Sequence, residues 1–117
     1  MVVDDSQLIR VRLTKLLTEH GYEVIGAKDG EEAVETYLQL HPDAVLMDFA
    51  MPRKHGLTAL RELRRLDPDA KVILLTAMDQ QAIALRAMQA GAKDFLIKPY
   101  DPEQLLAVLR KVLGLSQ

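Results

Sequence analysis

The sequence predicts an α/β domain built on a parallel sheet. Three observations predict it. Two runs, Ala44-Val45-Leu46-Met47 and Val72-Ile73-Leu74-Leu75, are apolar without interruption, as strands buried on both faces are. The stretches between strand-like runs carry apolar residues at helical spacing. The strand–helix alternation occurs five times, which calls for a layered fold with right-handed crossovers.

The elements follow in order. Met1, Val2 and Val3 form a short first strand that stops at Asp4 and Asp5. Over residues 6–20, Ile9, Leu13, Leu16 and Leu17 fall on one helical face, and Gly21 supplies the stop. Tyr22-Glu23-Val24-Ile25 reads as the second strand. Asp29-Gly30-Glu31-Glu32 is a capping-box signature for the second helix, with Ala33, Val34, Tyr37 and Leu38 as its buried stripe. His41-Pro42-Asp43 breaks that helix, and the run 44–47 ends at Asp48.

Met51 to Gly56 reads as a loop. Leu57, Leu60 and Leu63 lie on the third helix, closed by Asp67-Pro68. The run 72–75 ends at Thr76. Residues 82–90 are helical up to Gly91, and Phe95-Leu96-Ile97 is a fifth strand ending at Lys98-Pro99. Asp101-Pro102-Glu103-Gln104 places an N-cap acid, a proline at the first helical position and a glutamine at the third. The last helix is expected to bury Leu105, Leu109, Val112 and Leu113. No linker, low-complexity stretch or repeat divides residues 1–117, which read as one domain.

Composition removes several function classes. At 117 residues, 49% hydrophobic and 27% charged, the chain can bury a core. No apolar run approaches the roughly 20 residues of a membrane span, and no signal-peptide pattern opens the chain. The absence of cysteine rules out thiol catalysis, disulfides and Cys-based zinc sites, and suits a cytoplasmic protein. A net charge of −2, no tryptophan and 4% aromatics argue against nucleic-acid binding.

Asp4, Asp5, Asp48, Thr76 and Lys98 share one kind of position, at or just past the C-terminal end of a strand. In open parallel sheets ligands bind outside those ends. Any one of the five alone reads as a helix cap, a turn former or a surface charge. Together they gather three carboxylates in one crevice, where the acids raise one another's pKa unless a cation lies among them. Mg²⁺ suits oxygen ligands with few protein carboxylates. A hydroxyl and an ammonium beside it make a site for phosphoryl oxygens.

This ordered set resembles the receiver domain of two-component response regulators, and the resemblance covers essentially the whole chain. It is carried by Asp4-Asp5 after the first strand, by Asp48 within Leu46-Met47-Asp48-Phe49-Ala50-Met51-Pro52, and by Gly56, Thr76-Ala77 and Lys98-Pro99. The resemblance implies a flavodoxin-like (βα)5 three-layer sandwich with a five-stranded parallel sheet in the order 2-1-3-4-5. It implies that Asp48 accepts a phosphoryl group from a sensor histidine kinase or a phosphotransfer domain. Asp4, Asp5, a carboxylate oxygen of Asp48 and the backbone carbonyl of Ala50 would hold Mg²⁺, with Asp5 a direct ligand and Asp4 acting through water. Lys98 would pair with the phosphoryl group, Thr76 would donate to it, Phe95 would be the mobile switch aromatic, and the Lys98–Pro99 bond would be cis.

Two features depart from the family pattern. Only Met1, Val2 and Val3 precede the aspartates, where several apolar residues are usual. Ala50 and Met78, two residues past Asp48 and Thr76, offer no polar group along the path of attacking water. His20, His41 and His55 share no ligand spacing, and Met47, Met51, Met78 and Met88 read as packing residues.

Three function classes compete. A phosphorylation-controlled switch fits all five residues. An aspartyl-phosphate phosphohydrolase would carry a second acid two residues past its nucleophile, where this chain has Ala50. A flavin or nucleotide binder would need a Gly-, Ser- or Thr-rich loop after the first strand, where this chain has Asp4-Asp5-Ser6-Gln7. For the switch, the output is a stand-alone chemotaxis-type regulator or a receiver cut from a longer DNA-binding transcription factor. Residues 5–6 and 80–100 look more like the former. The expected output face is the fourth helix, fifth strand and fifth helix, and the expected state is a monomer, with dimerisation on phosphorylation as the alternative.

Overall fold

The computed structural model describes residues 1–51, 56–77 and 81–115. The elements run β1 (Val2–Val3), α1 (Gln7–Glu19), β2 (Gly26–Ala27), α2 (Gly30–Leu40), β3 (Val45–Asp48), α3 (Gly56–Leu66), β4 (Val72–Ala77), α4 (Gln81–Gln89), β5 (Asp94–Lys98) and α5 (Pro102–Leu113). The five strands are parallel, in the order β2-β1-β3-β4-β5.

Side chains alternate across a strand, so the apolar runs divide between two faces. Val3, Val45, Met47, Val72 and Leu74 pack with Ala33, Val34 and Tyr37 of α2, Leu60 and Leu63 of α3 and Ala87 of α4. Val2, Leu46, Ile73, Leu75 and Leu96 pack with Leu13 and Leu17 of α1 and Leu105, Leu106 and Leu109 of α5. Three layers result, and the expectation of a sheet buried on both faces is met.

Four local expectations need correction. The second strand is Gly26–Ala27, not residues 22–25. Its partner β1 spans only two residues, and the register is Val2↔Gly26 and Val3↔Ala27. Tyr22 and Val24 are apolar because they pack against the α1/α5 core, not because they belong to the ladder. Leu38 is 48% exposed. The β2 edge beneath α2 is too short to cover that flank of the helix. On α5, Leu106 is buried while Val112 and Leu113 are half-buried, because the sheet covers the first turns of the helix more fully than its last. The capping box at Asp29 is displaced by one residue. Asp29 accepts from the Glu32 amide at 2.8 Å, but Glu32 reaches back to the Lys28 amide at 3.2 Å.

A strut joins α2 to the α3–β4 turn. The buried Tyr37 hydroxyl donates to Asp67 Oδ2 at 2.6 Å, and His41 meets the Tyr37 ring edge-on at 5.6 Å. Burial and the Asp67 bond push the Tyr37 pKa well up, while the Tyr37 bond holds the Asp67 carboxyl below its ordinary value. A lowered folded-state pKa contributes stability present above the unfolded value and lost as pH falls through the folded one. Tyr37→Phe should therefore lower the melting temperature at pH 7 by a few degrees. That gap should narrow below about pH 4. Melting curves at pH 7 and pH 3 check both points, and an equal gap at the two values would contradict the linkage.

Candidate functional site

Each site residue is placed by its strand. The parallel sheet brings the ends of β1, β3 and β5 to one edge. There, carboxylate oxygens of Asp4, Asp5 and Asp48 all lie within 4.8 Å of one another. Asp48 closes β3 and is 7% exposed, and the Lys98 Nζ at the end of β5 donates to its Oδ1 at 2.7 Å. The Lys98–Pro99 peptide is cis, as the resemblance implied.

Asp4 is 3% exposed and tightly held. Its amide donates to the Ala27 carbonyl at 3.1 Å, and its Oδ1 accepts from the Ser6 amide at 2.9 Å. Among the described residues its Oδ2 is buried with no hydrogen-bond partner, and so is the Thr76 Oγ1. Buried polar groups in native structures are mostly hydrogen-bonded, so these two atoms call for a partner such as water or an ion. Burial first, and then the charges of Asp48 and Asp5, push the Asp4 pKa up, against the Ser6 bond and Lys98.

A divalent cation among these oxygens would relieve that repulsion and give the buried Asp4 oxygen a partner. The donor set is all oxygen, as Mg²⁺ requires. The residues therefore fit the ion. Ala50 lies exposed two residues past Asp48, and Met78 and His55 fall outside the described residues.

A raised acid pKa adds stability while the group is protonated, and that stability is lost as pH rises through the folded value. Ionised Asp4 is thus a cost at neutral pH. Asp4→Asn should raise the melting temperature in metal-free buffer at pH 7. The gain should fade in acid, where wild-type Asp4 is itself protonated. Asp5 is exposed, so Asp5→Asn should change stability little and Mg²⁺ affinity more. Melting and Mg²⁺ titration of both variants check this. An Asp4→Asn protein no more stable than wild type would count against the buried-charge account.

Thr76 lies inside β4, one residue past Leu75, which pairs with Asp48. It pairs in turn with Ile97, while Phe95 pairs with Leu74. Thr76 and Phe95 are thus diagonal neighbours on the face that carries α4. Phe95 is half-buried against that core. Gly56 supports the acceptor from behind. Its amide donates to the Phe49 carbonyl at 2.8 Å, and a Cβ there would meet the Asp48 carbonyl oxygen at 2.7 Å.

Two residues near the site escaped the sequence reading. Tyr100 is half-buried, and its pKa is pushed up by burial and by the charges of Asp4 and Asp48. Its signal was its place directly after Lys98-Pro99. Arg10 donates from Nη1 to the Asp4 carbonyl oxygen at 2.6 Å. Its signal was a basic residue one turn into the helix that follows the acids. The histidines stay clear of the site where described: His20 Nδ1 meets the Leu16 carbonyl, and His41 caps α2.

Comparisons with known proteins point to one family. The family model for the response regulator receiver domain matches residues 1–110. The chemotaxis protein CheY of Thermotoga maritima is 46% identical over 113 residues, covering 96% of this chain and 94% of that protein. CheY of Bacillus subtilis is 40% identical over 115 residues, covering 97% and 96%. The crystal structure of the receiver domain of NtrX from Brucella abortus superposes with a TM-score of 0.92 at 29% identity, covering 98% of each chain.

Proposed function

The chain belongs to the response regulator receiver domain family, and on that premise we propose that it is a phosphorylation switch whose acceptor is Asp48. The observation that carries the reading is the Lys98–Asp48 pair at 2.7 Å, at the sheet edge where Asp4 and Asp5 also lie. An Asp48 carboxylate oxygen attacks the phosphorus of a phosphohistidine on a sensor kinase or phosphotransfer domain. The new O–P bond forms as the P–N bond breaks, and the imidazole leaves and takes up a proton. Asp4, Asp5, an Asp48 oxygen and the Ala50 carbonyl would hold Mg²⁺, which supplies positive charge against the phosphoryl oxygens.

Lys98 binds one phosphoryl oxygen as a charge-assisted donor. The Thr76 hydroxyl donates to another, which draws it toward Asp48. That movement vacates space on the α4 side, into which Phe95 rotates. The face of α4, β5 and α5 changes shape and controls an output protein of the chemotaxis type. Leu85 and Met88 stand exposed on α4, 64% and 40%, as a partner surface. No helix among the described residues is long and apolar enough to cross a membrane. We place the switch in the cytoplasm, as a single monomeric domain over residues 1–117 that turns over no external phosphoester.

Incubation with acetyl phosphate and Mg²⁺ should add one phosphoryl group, about 80 Da. With beryllofluoride and Mg²⁺, amide shifts should reach Met88, Phe95 and Tyr100 in wild type but stay near Asp48 in Thr76→Ala. No mass gain would sink the acceptor reading. Equal shifts across that face in both proteins would sink the Thr76–Phe95 coupling.

A further inference from the structure

We infer that Arg10 is a positioning residue for the acidic pocket: it fixes the peptide joining Asp4 and Asp5, and with it the relative setting of the two carboxylates. The inference rests on the Mg²⁺ reading proposed above and names a residue through which that site is tuned.

The Asp4 carbonyl oxygen belongs to the planar unit that links Asp4 to Asp5. Turning that unit about its flanking bonds swings Asp5 relative to Asp4. The Arg10 Nη1 holds this oxygen at 2.6 Å, a charge-assisted bond and so one of the stronger kind. On the other side, the Asp4 amide is tied to the Ala27 carbonyl at 3.1 Å, and the Asp4 Oδ1 is tied to the Ser6 amide at 2.9 Å. Amide, carbonyl and one carboxylate oxygen are thus anchored to three different places. The remaining oxygen, Oδ2, is buried and has no partner among the described residues.

The Arg10 stem runs close to the sheet edge. It crosses from α1 to the end of β1 past Gly26 on the sheet edge, where a Cβ would lie 3.7 Å from the Arg10 Cδ. Asp5 is exposed. Its direction follows from the main chain that Arg10 holds.

Charge and position make opposite demands, which separates them. A cation beside three carboxylates opposes a second cation. If Arg10 acted by charge alone, its removal would tighten Mg²⁺ binding. If it positions the Asp4–Asp5 peptide, its removal weakens binding.

The test is titration of the full chain with MgCl₂ at pH 7, followed by NMR, for wild type, Arg10→Met and Arg10→Lys, with folding checked by circular dichroism. Arg10→Met should bind Mg²⁺ roughly tenfold more weakly, the lower end of what outer-shell partners of metal ligands contribute. Arg10→Lys, whose ammonium can donate to the same carbonyl, should recover most of the loss. Arg10→Leu, which like methionine has no donor, serves as a second neutral variant should Arg10→Met fold poorly, with the same expected weakening. Equal or tighter binding by the neutral variants, or a lysine variant as weak as they are, overturns the positioning role. Wild type that binds no Mg²⁺ overturns the metal reading itself, and the inference with it.

Discussion

Asp48→Asn is expected to take up no phosphoryl group from acetyl phosphate under conditions in which wild type gains about 80 Da. The effect is all-or-none because the amide is a far poorer nucleophile than the carboxylate. It also removes the negative charge that Lys98 meets at 2.7 Å. The fold should survive. The substitution removes one of the like charges that push the Asp4 pKa up, so the ion pair it breaks is offset by relief of repulsion at Asp4. Intact-mass spectrometry and circular dichroism on the same sample read both outcomes. A folded Asp48→Asn protein labelled as fully as wild type would move the acceptor elsewhere.

Gly56→Ala is expected to be the most damaging single-methyl change near the site. The added Cβ would lie 2.7 Å from the Asp48 carbonyl oxygen and 2.8 Å from the Phe49 Cα. Both are backbone atoms of the β3 end and cannot turn aside as a flexible side chain can. Either α3 or the acceptor strand must shift. Overpacking of this kind costs about 1–3 kcal/mol. Because the displaced backbone carries Asp48, phosphorylation by acetyl phosphate should slow as well. Thermal melting and labelling rate check the pair of effects. A variant that melts and labels like wild type would show that the α3 start is free to move away.

The two substitutions probe different levels of what the sequence discloses. Asp48 was legible as chemistry only in company: alone it reads as a turn former, but Asp4, Asp5, Thr76 and Lys98 fall at the same kind of strand end. Gly56 was legible only as a matching position in a resemblance. Nothing in the local sequence says that its α-carbon lies against the acceptor's own backbone, a contact made when α3 docks on β3.

The same division runs through the fold. Residues 44–47 and 72–75 declared buried strands because strands covered on both faces are apolar at every position. Residues 22–25 misled because apolar content reports burial, whereas strand pairing depends on having a partner opposite. The partner, β1, is two residues long. Leu38 misled for a related reason: helical periodicity says which face is apolar but not how wide a surface will cover it.

By itself, then, the sequence determined the alternation of strands and helices, the two-sided burial of the sheet and the gathering of Asp4, Asp5, Asp48, Thr76 and Lys98 at one edge. Each of these follows from short-range periodicity and the parallel direction of the strands. Only the tertiary structure decided that Asp4 Oδ2 and Thr76 Oγ1 are buried without partners among the described residues, that Lys98 reaches Asp48, and that Arg10 holds the peptide between the two acids. Those are through-space relations between side chains on different elements, set by how α1 and β5 pack onto the sheet, and periodicity along the chain carries no record of them.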